Sequence, residues 1–428
     1  MVKQKKMNIL ELSTILLLLA SIFSIVNLRL LKLPQTIGLM VLAIILSVIV
    51  LIVGFVFPDF LEAASSITQK FDFSTLLIDV MLPFLLFAGA ISISVHELLK
   101  DKLTILLLAS FGVVFSTFTV GIVTFWLTQQ PFLGLSSLNL TIIDCLLFGA
   151  LIAPTDPIAV LAMVKKMNLS KATETRIAGE SLFNDGIGVV IFLTLLNIKI
   201  EGIDTVTVQS VGSLFITEVL GGAILGAVIG YLGLKLLLYI ENQHVELEVI
   251  ITLSLVLLVS VVAHRFHFSG PIGVVIMGLF LNRNIDTDDQ TEGIQKAMGD
   301  YVYKFWHLLD ETLNAVLFIL IGLEILAIFN GFQISYLILS FLIIVLVVLS
   351  RGLGVFIPIK LLSIKKKFEK NTALIITWGG LRGGLSIALA LNLPASLGDG
   401  KSLILFLTYA VVLFTILVQG LTLKKIVK

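Results

Sequence analysis

The chain has 428 residues, of which 58% are hydrophobic and only 13% are charged, whereas a soluble domain carries roughly 25% charged residues. This composition excludes a soluble enzyme and predicts an integral membrane protein. The 29 basic and 28 acidic residues nearly balance, and no basic run interleaved with aromatic residues suggests nucleic-acid binding. The single cysteine, Cys145, excludes an internal disulfide and a cysteine metal cluster.

Apolar runs long enough to cross a bilayer recur along the whole chain, so we expect one transmembrane domain over residues 1–428 and no soluble domain. The fold class predicted from these runs is an all-α polytopic membrane protein with about thirteen transmembrane helices. The predicted spans are residues 9–28, 33–57, 73–94, 103–127, 140–164, 175–198, 211–240, 245–263, 270–281, 305–328, 334–362, 371–393 and 402–423.

Thirteen spans divide into two six-helix repeats, over residues 1–200 and 244–428, joined by a linking helix within residues 201–243. A single linking span inverts the second repeat relative to the first. Pro154 and Pro157 interrupt the fifth span, and a glycine-rich stretch at 378–384 interrupts the twelfth. Interrupted helices at matching positions of two repeats predict broken, crossing helices at the midplane, where transporters bind their substrates.

The linking span carries Gly222, Gly226 and Gly230 at four-residue spacing. A stripe of small residues on one helix face lets a neighbouring helix approach closely. We interpret this stripe as a packing surface.

The distribution of Lys and Arg predicts the orientation of the chain. One set of alternate loops and helix ends holds 20 of the 29 basic residues and the other set holds 7. Cytoplasmic loops are enriched in basic residues, so we expect a multi-pass protein of the cell membrane with a cytoplasmic C-terminus. The N-terminal lysines at positions 3, 5 and 6 fall on the opposite side.

Asp156 lies in an otherwise apolar span, between Pro154 and Pro157. A carboxylate at the centre of a membrane helix costs about 2.5 to 3.5 kcal/mol on insertion scales. The two prolines remove backbone donors and leave carbonyl groups without helical partners. Such carbonyls are tolerated at membrane depth where they face a cavity or a cation. Asp156 is therefore a candidate functional residue.

A second polar group lies in the next span. Ser181, Asn184 and Asp185 stand at i, i+3 and i+4, which places them on one helix face. A face of oxygen-bearing side chains suits a hard cation. The alternative is that these groups satisfy one another inside a helix bundle.

Further charges lie deep in apolar spans. Glu180 and Arg351 are expected to form a buried pair, with a structural role favoured over ion contact. Arg382 lies in the glycine-rich interruption, where its charge offsets Asp156, Asp185 or the exposed carbonyls of the broken helices, and the sequence does not rank these options. Five other acids in or near spans are expected to face water or headgroups: Asp79, Glu218, Asp310, Glu311 and Glu324.

Three motifs together carry a family resemblance. They are Thr155-Asp156-Pro157, then the run from Glu180 to Asp185, then Gly379-Gly380-Leu381-Arg382-Gly383. In this order and spacing they resemble the monovalent cation/proton antiporters, in particular the electroneutral sodium/proton exchanger branch. The resemblance covers nearly the whole chain and includes the number of spans.

The resemblance implies the roles of the motif residues. Asp185 would be the carboxylate shared by cation and proton, and Asp156, the Thr155 backbone and Ser181 would complete the Na⁺ shell. Asn184 stands where the electrogenic branch typically has a second aspartate, which implies one proton per Na⁺.

The same resemblance assigns Glu180 and Arg351 to a buried ion pair. It also implies a homodimer that alternates access by moving a core domain against a dimerisation domain. The third span has Ala88 where the family often has glutamate, so no auxiliary carboxylate is expected from it.

The predicted activity is exchange of Na⁺, and also of Li⁺, for H⁺, with cation and proton competing for Asp185. The chain is not expected to be an enzyme or to need a cofactor. A potassium/proton antiporter is the nearest alternative, because ligand distances that separate K⁺ from Na⁺ are not visible in a sequence. More remote alternatives are an intramembrane aspartyl protease, whose paired glycine signature is missing, and a channel, for which no repeated pore filter is present.

Overall fold

The computed structural model describes residues 9–57, 75–156, 160, 170–202, 208–240, 244–282, 294–328 and 333–427, and within these ranges it contains helices and turns but no strand. The predicted all-α fold class is confirmed. In chain order the helices are α1 (Ile9–Val26), α2 (Gln35–Val56), α3 (Leu82–Ser92), α4 (Val95–Thr128), α5 (Ile142–Ile152), α6 (Lys171–Glu201), α7 (Val208–Tyr239), α8 (Val245–Phe266), α9 (Gly270–Asn282), α10 (Ile294–Ile328), α11 (Ile334–Leu362), α12 (Thr372–Trp378), α13 (Gly384–Leu391), α14 (Asp399–Phe414) and α15 (Leu421–Val427).

Within the described residues each predicted span contains a helix or a pair of helices, and for the fifth span this helix is described only as far as Ile152. By length and composition, nine helical stretches in the described ranges can cross a membrane, and three apolar helices are shorter. α12 and α13 form the interrupted twelfth span. α4 starts at Val95, earlier than predicted, because the Ser94 side chain caps it by accepting a hydrogen bond from the backbone N–H of Glu97.

The exterior of the helix bundle is apolar, as expected for a surface in contact with lipid. Large hydrophobic side chains such as Leu18, Ile52, Phe118, Val261 and Leu349 are exposed on several different helices. α4, with 34 residues, is about 50 Å long, whereas the hydrocarbon core of a bilayer is about 30 Å thick. The ends of the longest helices therefore project beyond the hydrocarbon.

The glycine stripe of the linking helix is a packing surface, as predicted. A Cβ atom on Gly226 would lie 2.2 Å from the carbonyl oxygen of Gly273, and one on Gly222 would lie 2.4 Å from that of Ser269. Only glycine permits this approach, so the stripe brings α7 against α9 at backbone distance.

The helices pack in two groups that alternate along the sequence. One group, which we call the outer group, contains α1 to α3 and α7 to α10; the other, which we call the inner group, contains α4 to α6 and α11 to α15. The outer group thus combines the first three spans of both predicted repeats with the linking helix. The assignment of residues 1–200 and 244–428 as inverted repeats stays a prediction.

Ion pairs tie together chain segments that the sequence predicts on one side of the membrane. Asp101 near the start of α4 pairs with Arg176 near the start of α6, at 2.7 Å, and also with Lys366 after α11. Lys199, near the end of α6, instead pairs with Asp144 at the start of α5, at 2.9 Å. The two groups of ion pairs lie at opposite ends of α6, in agreement with loops that alternate between the two sides of the membrane.

Candidate functional site

The fifth span is broken where the prolines predict. α5 ends at Ile152, and Ala153 to Asp156 are not helical. In a continuous helix the carbonyl of Ala153 would accept the backbone N–H of residue 157, but that residue is proline and has none. The Arg382 guanidinium supplies the missing donor, with Nη1 donating to the carbonyl oxygens of Ala153 at 2.5 Å and of Pro154 at 3.0 Å.

This contact shows that Arg382 binds the exposed carbonyls, one of the alternatives left open by the sequence. Its guanidinium donates to carbonyls at the end of a broken helix, and the side chain is 1% exposed. The remainder of the predicted fifth span, residues 157–159 and 161–164, lies outside the described residues.

The break in the twelfth span meets the break in the fifth. α12 ends at Trp378 and α13 begins at Gly384. The backbone N–H of Asp156 donates to the carbonyl of Leu381 at 2.7 Å. Each break thus satisfies polar backbone groups that the other leaves unpaired, which is how irregular backbone is stabilised at membrane depth.

Two glycines in this loop are needed for close approach. A Cβ atom on Gly383 would lie 2.6 Å from Oδ2 of Asp156, and one on Gly380 would lie 2.7 Å from Nε of Arg351. Any larger residue would displace one of these two charged side chains. The glycine-rich sequence therefore lets the side chains of Asp156 and Arg351 lie directly against the backbone of the loop.

The polar face of α6 contacts the broken fifth span directly. The hydroxyl oxygens of Ser181 and Thr155 are 3.0 Å apart. Asn184 Nδ2 donates to the Thr155 hydroxyl at 2.8 Å, and Asn184 Oδ1 accepts the Thr155 backbone N–H at 3.3 Å. All three side chains are at most 2% exposed. Thr155 is thus held in place by two residues of the helix that carries Asp185.

Glu180 and Arg351 form a buried bidentate pair. Nη1 and Nη2 of Arg351 donate to Oε1 and Oε2 of Glu180, each at 2.6 Å. Asn184 Nδ2 donates to the same Oε1 at 2.9 Å. Two parallel charge-assisted hydrogen bonds fix both geometry and charge, so the pair anchors α6 to α11 and is neutral as a unit.

A cavity of about 600 Å³ lies between the outer and inner groups, and Thr155, Asp156 and Asp185 line it. The carboxylates of Asp156 and Asp185 are close enough for their charges to interact. Ser181 is not part of the wall, since its hydroxyl is directed at Thr155. The structure therefore brings three of the four predicted cation ligands to one cavity, and the fourth lies behind them.

Sequence reasoning did not place Asp310 or Glu311 on this cavity, although both line it. Asp310, expected to face water or headgroups, lies in the middle of α10 and lines the cavity opposite the aspartate pair. A signal was present, because the polar residues Tyr303, His307, Asp310 and Asn314 recur at helical spacing.

In the part of the chain that the structure describes, no group of three or more His, Cys, Asp and Glu side chains is arranged to hold a metal ion. Where the two breaks meet, the cavity wall offers the carboxylates of Asp156 and Asp185 and the threonine Thr155. This donor set suits a weakly held monovalent cation in transit, because hard cations take oxygen ligands and fewer charges bind them less tightly.

Comparison with known proteins identifies similar chains. The family model described as "Sodium/hydrogen exchanger, transmembrane" matches residues 15–428. The Na⁺/H⁺ antiporter NhaP of Pseudomonas aeruginosa is 40% identical over 98% of this chain and 96% of its own length. The Na⁺/H⁺ antiporter NhaH of Halobacillus aidingensis is 34% identical over 97% and 96%. The solved structure of the sodium proton antiporter MjNhaP1 from Methanocaldococcus jannaschii, at 20% identity, superposes with a TM-score of 0.75 over 97% of this chain and 96% of that one.

Proposed function

Because the chain belongs to the sodium/hydrogen exchanger family, we propose that it exchanges Na⁺ for H⁺ across the cell membrane. The observation that carries the proposal is the pair Asp156 and Asp185 on one cavity between two helix groups. The family is one of transporters, so the aspartyl protease alternative is set aside. Li⁺ is proposed as a second substrate because it is also a small hard cation.

The proposed mechanism is competition for Asp185. A buried carboxylate without a bound cation takes up a proton, and a bound cation displaces that proton. The site at Asp185 then changes its exposure from one side of the membrane to the other while it holds either the proton or the cation. Asp156 and Thr155 supply further oxygen ligands, and Ser181 acts by holding the Thr155 hydroxyl.

A one-to-one exchange is the proposed stoichiometry. The residue beside Asp185 is Asn184, which is uncharged and whose amide is bonded to Thr155 and Glu180. Glu180 is in turn neutralised by Arg351. Asp185 is therefore the group on this helix whose proton is released when Na⁺ binds. One proton for one Na⁺ moves no net charge.

The cavity supports an inward-facing state. Its lining includes Glu97, Lys171 and Tyr303, which lie near helix ends whose adjoining loops are predicted to be cytoplasmic from their Lys and Arg content. The C-terminus is proposed to lie on the same side. Alternating access then follows from a shift of the inner group against the outer group, which closes this cavity and opens another. The homodimer stays a prediction.

The test is the collapse of an imposed pH gradient in proteoliposomes on addition of Na⁺, Li⁺ or K⁺. We expect Na⁺ and Li⁺ to collapse the gradient in the wild type and Asp185→Asn to abolish the response. Asp399→Asn is the matched control, because Asp399 is exposed and does not line the cavity.

Each outcome decides a separate point. Retained exchange in Asp185→Asn would refute the shared-site mechanism. A response to K⁺ alone would keep the mechanism and change the cation to potassium. A rate that depends on membrane potential and carries a net current would contradict one-to-one exchange. No response to any cation, from protein that elutes as a single folded species, would refute the antiporter itself.

A further inference from the structure

One face of α10 forms part of the outer-group wall of the cavity. Tyr303, His307, Asp310, Asn314 and Leu317 all line the cavity and recur three or four residues apart. This face covers about 21 Å along the helix axis. Exposure decreases along this face from His307, whose side chain is 45% exposed, to Asn314, which is 1% exposed. Asp310 stands where the wall passes from the open part of the cavity to the buried part.

Asn314 orients Asp310 and leaves an oxygen unused. Asn314 Nδ2 donates to Oδ1 of Asp310 at 3.0 Å and to the Asp310 backbone carbonyl at 2.8 Å. Its own Oδ1 is buried and has no hydrogen-bond partner among the described residues. Buried polar atoms are nearly always paired, so an unpaired amide oxygen on a cavity wall indicates that a ligand or water binds there.

Ser386 presents a second unpaired oxygen to the same cavity. Its hydroxyl belongs to α13 of the inner group, is 1% exposed and has no partner in the described ranges. Gly384, two residues earlier, abuts Leu317 of α10. Gly383, adjacent to it, abuts Asp156. The start of α13 therefore stands between the Asp310 face of α10 and the aspartate pair.

We propose that Asp310 and the amide oxygen of Asn314 form a second cation-binding position, at which Na⁺ pauses before it reaches Asp156 and Asp185. The hydroxyl of Ser386 is the next oxygen inward. This inference rests on the proposed function, since it assigns an entry position to the same cargo.

The geometry of the cavity favours a separate position over an extension of the central site. Asp310 and Asp156 line the same cavity from opposite helix groups, yet the acids of the cavity do not form a three-carboxylate cluster in the described ranges. A cation at Asp310 offsets the repulsion between acids on opposite helix groups. It also raises the local Na⁺ concentration in front of the central pair, as a charged cleft does for its substrate.

The experiment measures the Na⁺ concentration for half-maximal exchange, K0.5, and the maximal rate in proteoliposomes at fixed pH. For Asp310→Asn we expect K0.5 to rise by about fivefold, the upper range for removal of a partly exposed charge pair, with the maximal rate preserved. Asp310→Glu, which keeps the charge, should recover most of the loss. Ser386→Ala should raise K0.5 by a smaller factor.

Glu311→Gln is the matched control, since Glu311 lines the same cavity but its side chain is 53% exposed. An unchanged K0.5 in folded Asp310→Asn would overturn the proposal. So would an equal rise in Glu311→Gln, because a general loss of cavity charge would then explain both. If Asp310→Asn does not fold, an unchanged K0.5 in Ser386→Ala overturns it.

Equilibrium binding of radioactive Na⁺ separates this inference from the proposed function. If the wild type shows no Na⁺-driven exchange, the proposed function fails, but the Asp310 position is still testable in purified protein. We expect Asp185→Asn to retain weak Na⁺ binding that Asp185→Asn/Asp310→Asn loses. Identical binding by the two variants would overturn the second position.

Discussion

The buried pair of Glu180 and Arg351 allows a sharp test of the packing between α6 and α11. Arg351→Met removes two charge-assisted hydrogen bonds of 2.6 Å and leaves the Glu180 carboxylate, which is 1% exposed, without its cation. Breaking one partner of such a pair costs about 3 to 5 kcal/mol, because an uncompensated charge remains buried. We expect this cost to appear in the free energy of unfolding.

The double variant Glu180→Gln/Arg351→Met should regain most of the loss. It contains neither charge, and replacing a whole buried pair is often close to neutral. Gln also retains an oxygen that can accept from Nδ2 of Asn184, as Oε1 of Glu180 does at 2.9 Å. The double variant should therefore be more stable than Arg351→Met alone.

The assay is the midpoint of thermal aggregation, followed by fluorescence-detected size-exclusion chromatography in detergent. Glu97→Gln is the control, since the pair of Glu97 with Lys100 is exposed at the surface and such pairs contribute about 0 to 1 kcal/mol. The reasoning is refuted if Arg351→Met melts like Glu97→Gln, or if the double variant is no more stable than Arg351→Met.

Two further outcomes are expected from the site. Gly383→Ala should raise K0.5 for Na⁺ by about tenfold to a hundredfold by displacing Asp156, since a misplacement of about 1 Å can cost about a hundredfold. Gly212→Ala, whose Cβ would meet nothing within 4 Å, should leave exchange unchanged. Equal K0.5 values for the two variants would contradict the packing argument. Competition at Asp185 predicts that K0.5 for Na⁺ rises as pH falls. The rise approaches about tenfold per pH unit once the proton occupies the site. Flux titrations in which K0.5 does not depend on pH would contradict a shared site.

The sequence by itself determined the fold class and the two interruptions. In a bilayer every backbone polar group must be satisfied within the chain, so long apolar runs form helices whatever their neighbours. Pro154, Pro157 and the glycines at 379–384 act on their own backbone. Such effects extend over one helical turn, so they can be predicted from the sequence without a structure. The spacing of Ser181, Asn184 and Asp185 on one helix face was predictable for the same reason.

The tertiary structure decided which distant groups meet. Arg382 donates to the carbonyls of the broken fifth span, Ser181 lies behind Thr155 and away from the cavity, and Asp310 faces the aspartate pair. Each of these arrangements brings together residues from different helices. Their placement depends on how whole helices pack and on which face each one turns to its neighbour. That choice is made by many small contacts together. A local pattern, such as the spacing of polar residues on α10, shows which residues share a face but not which neighbour that face meets.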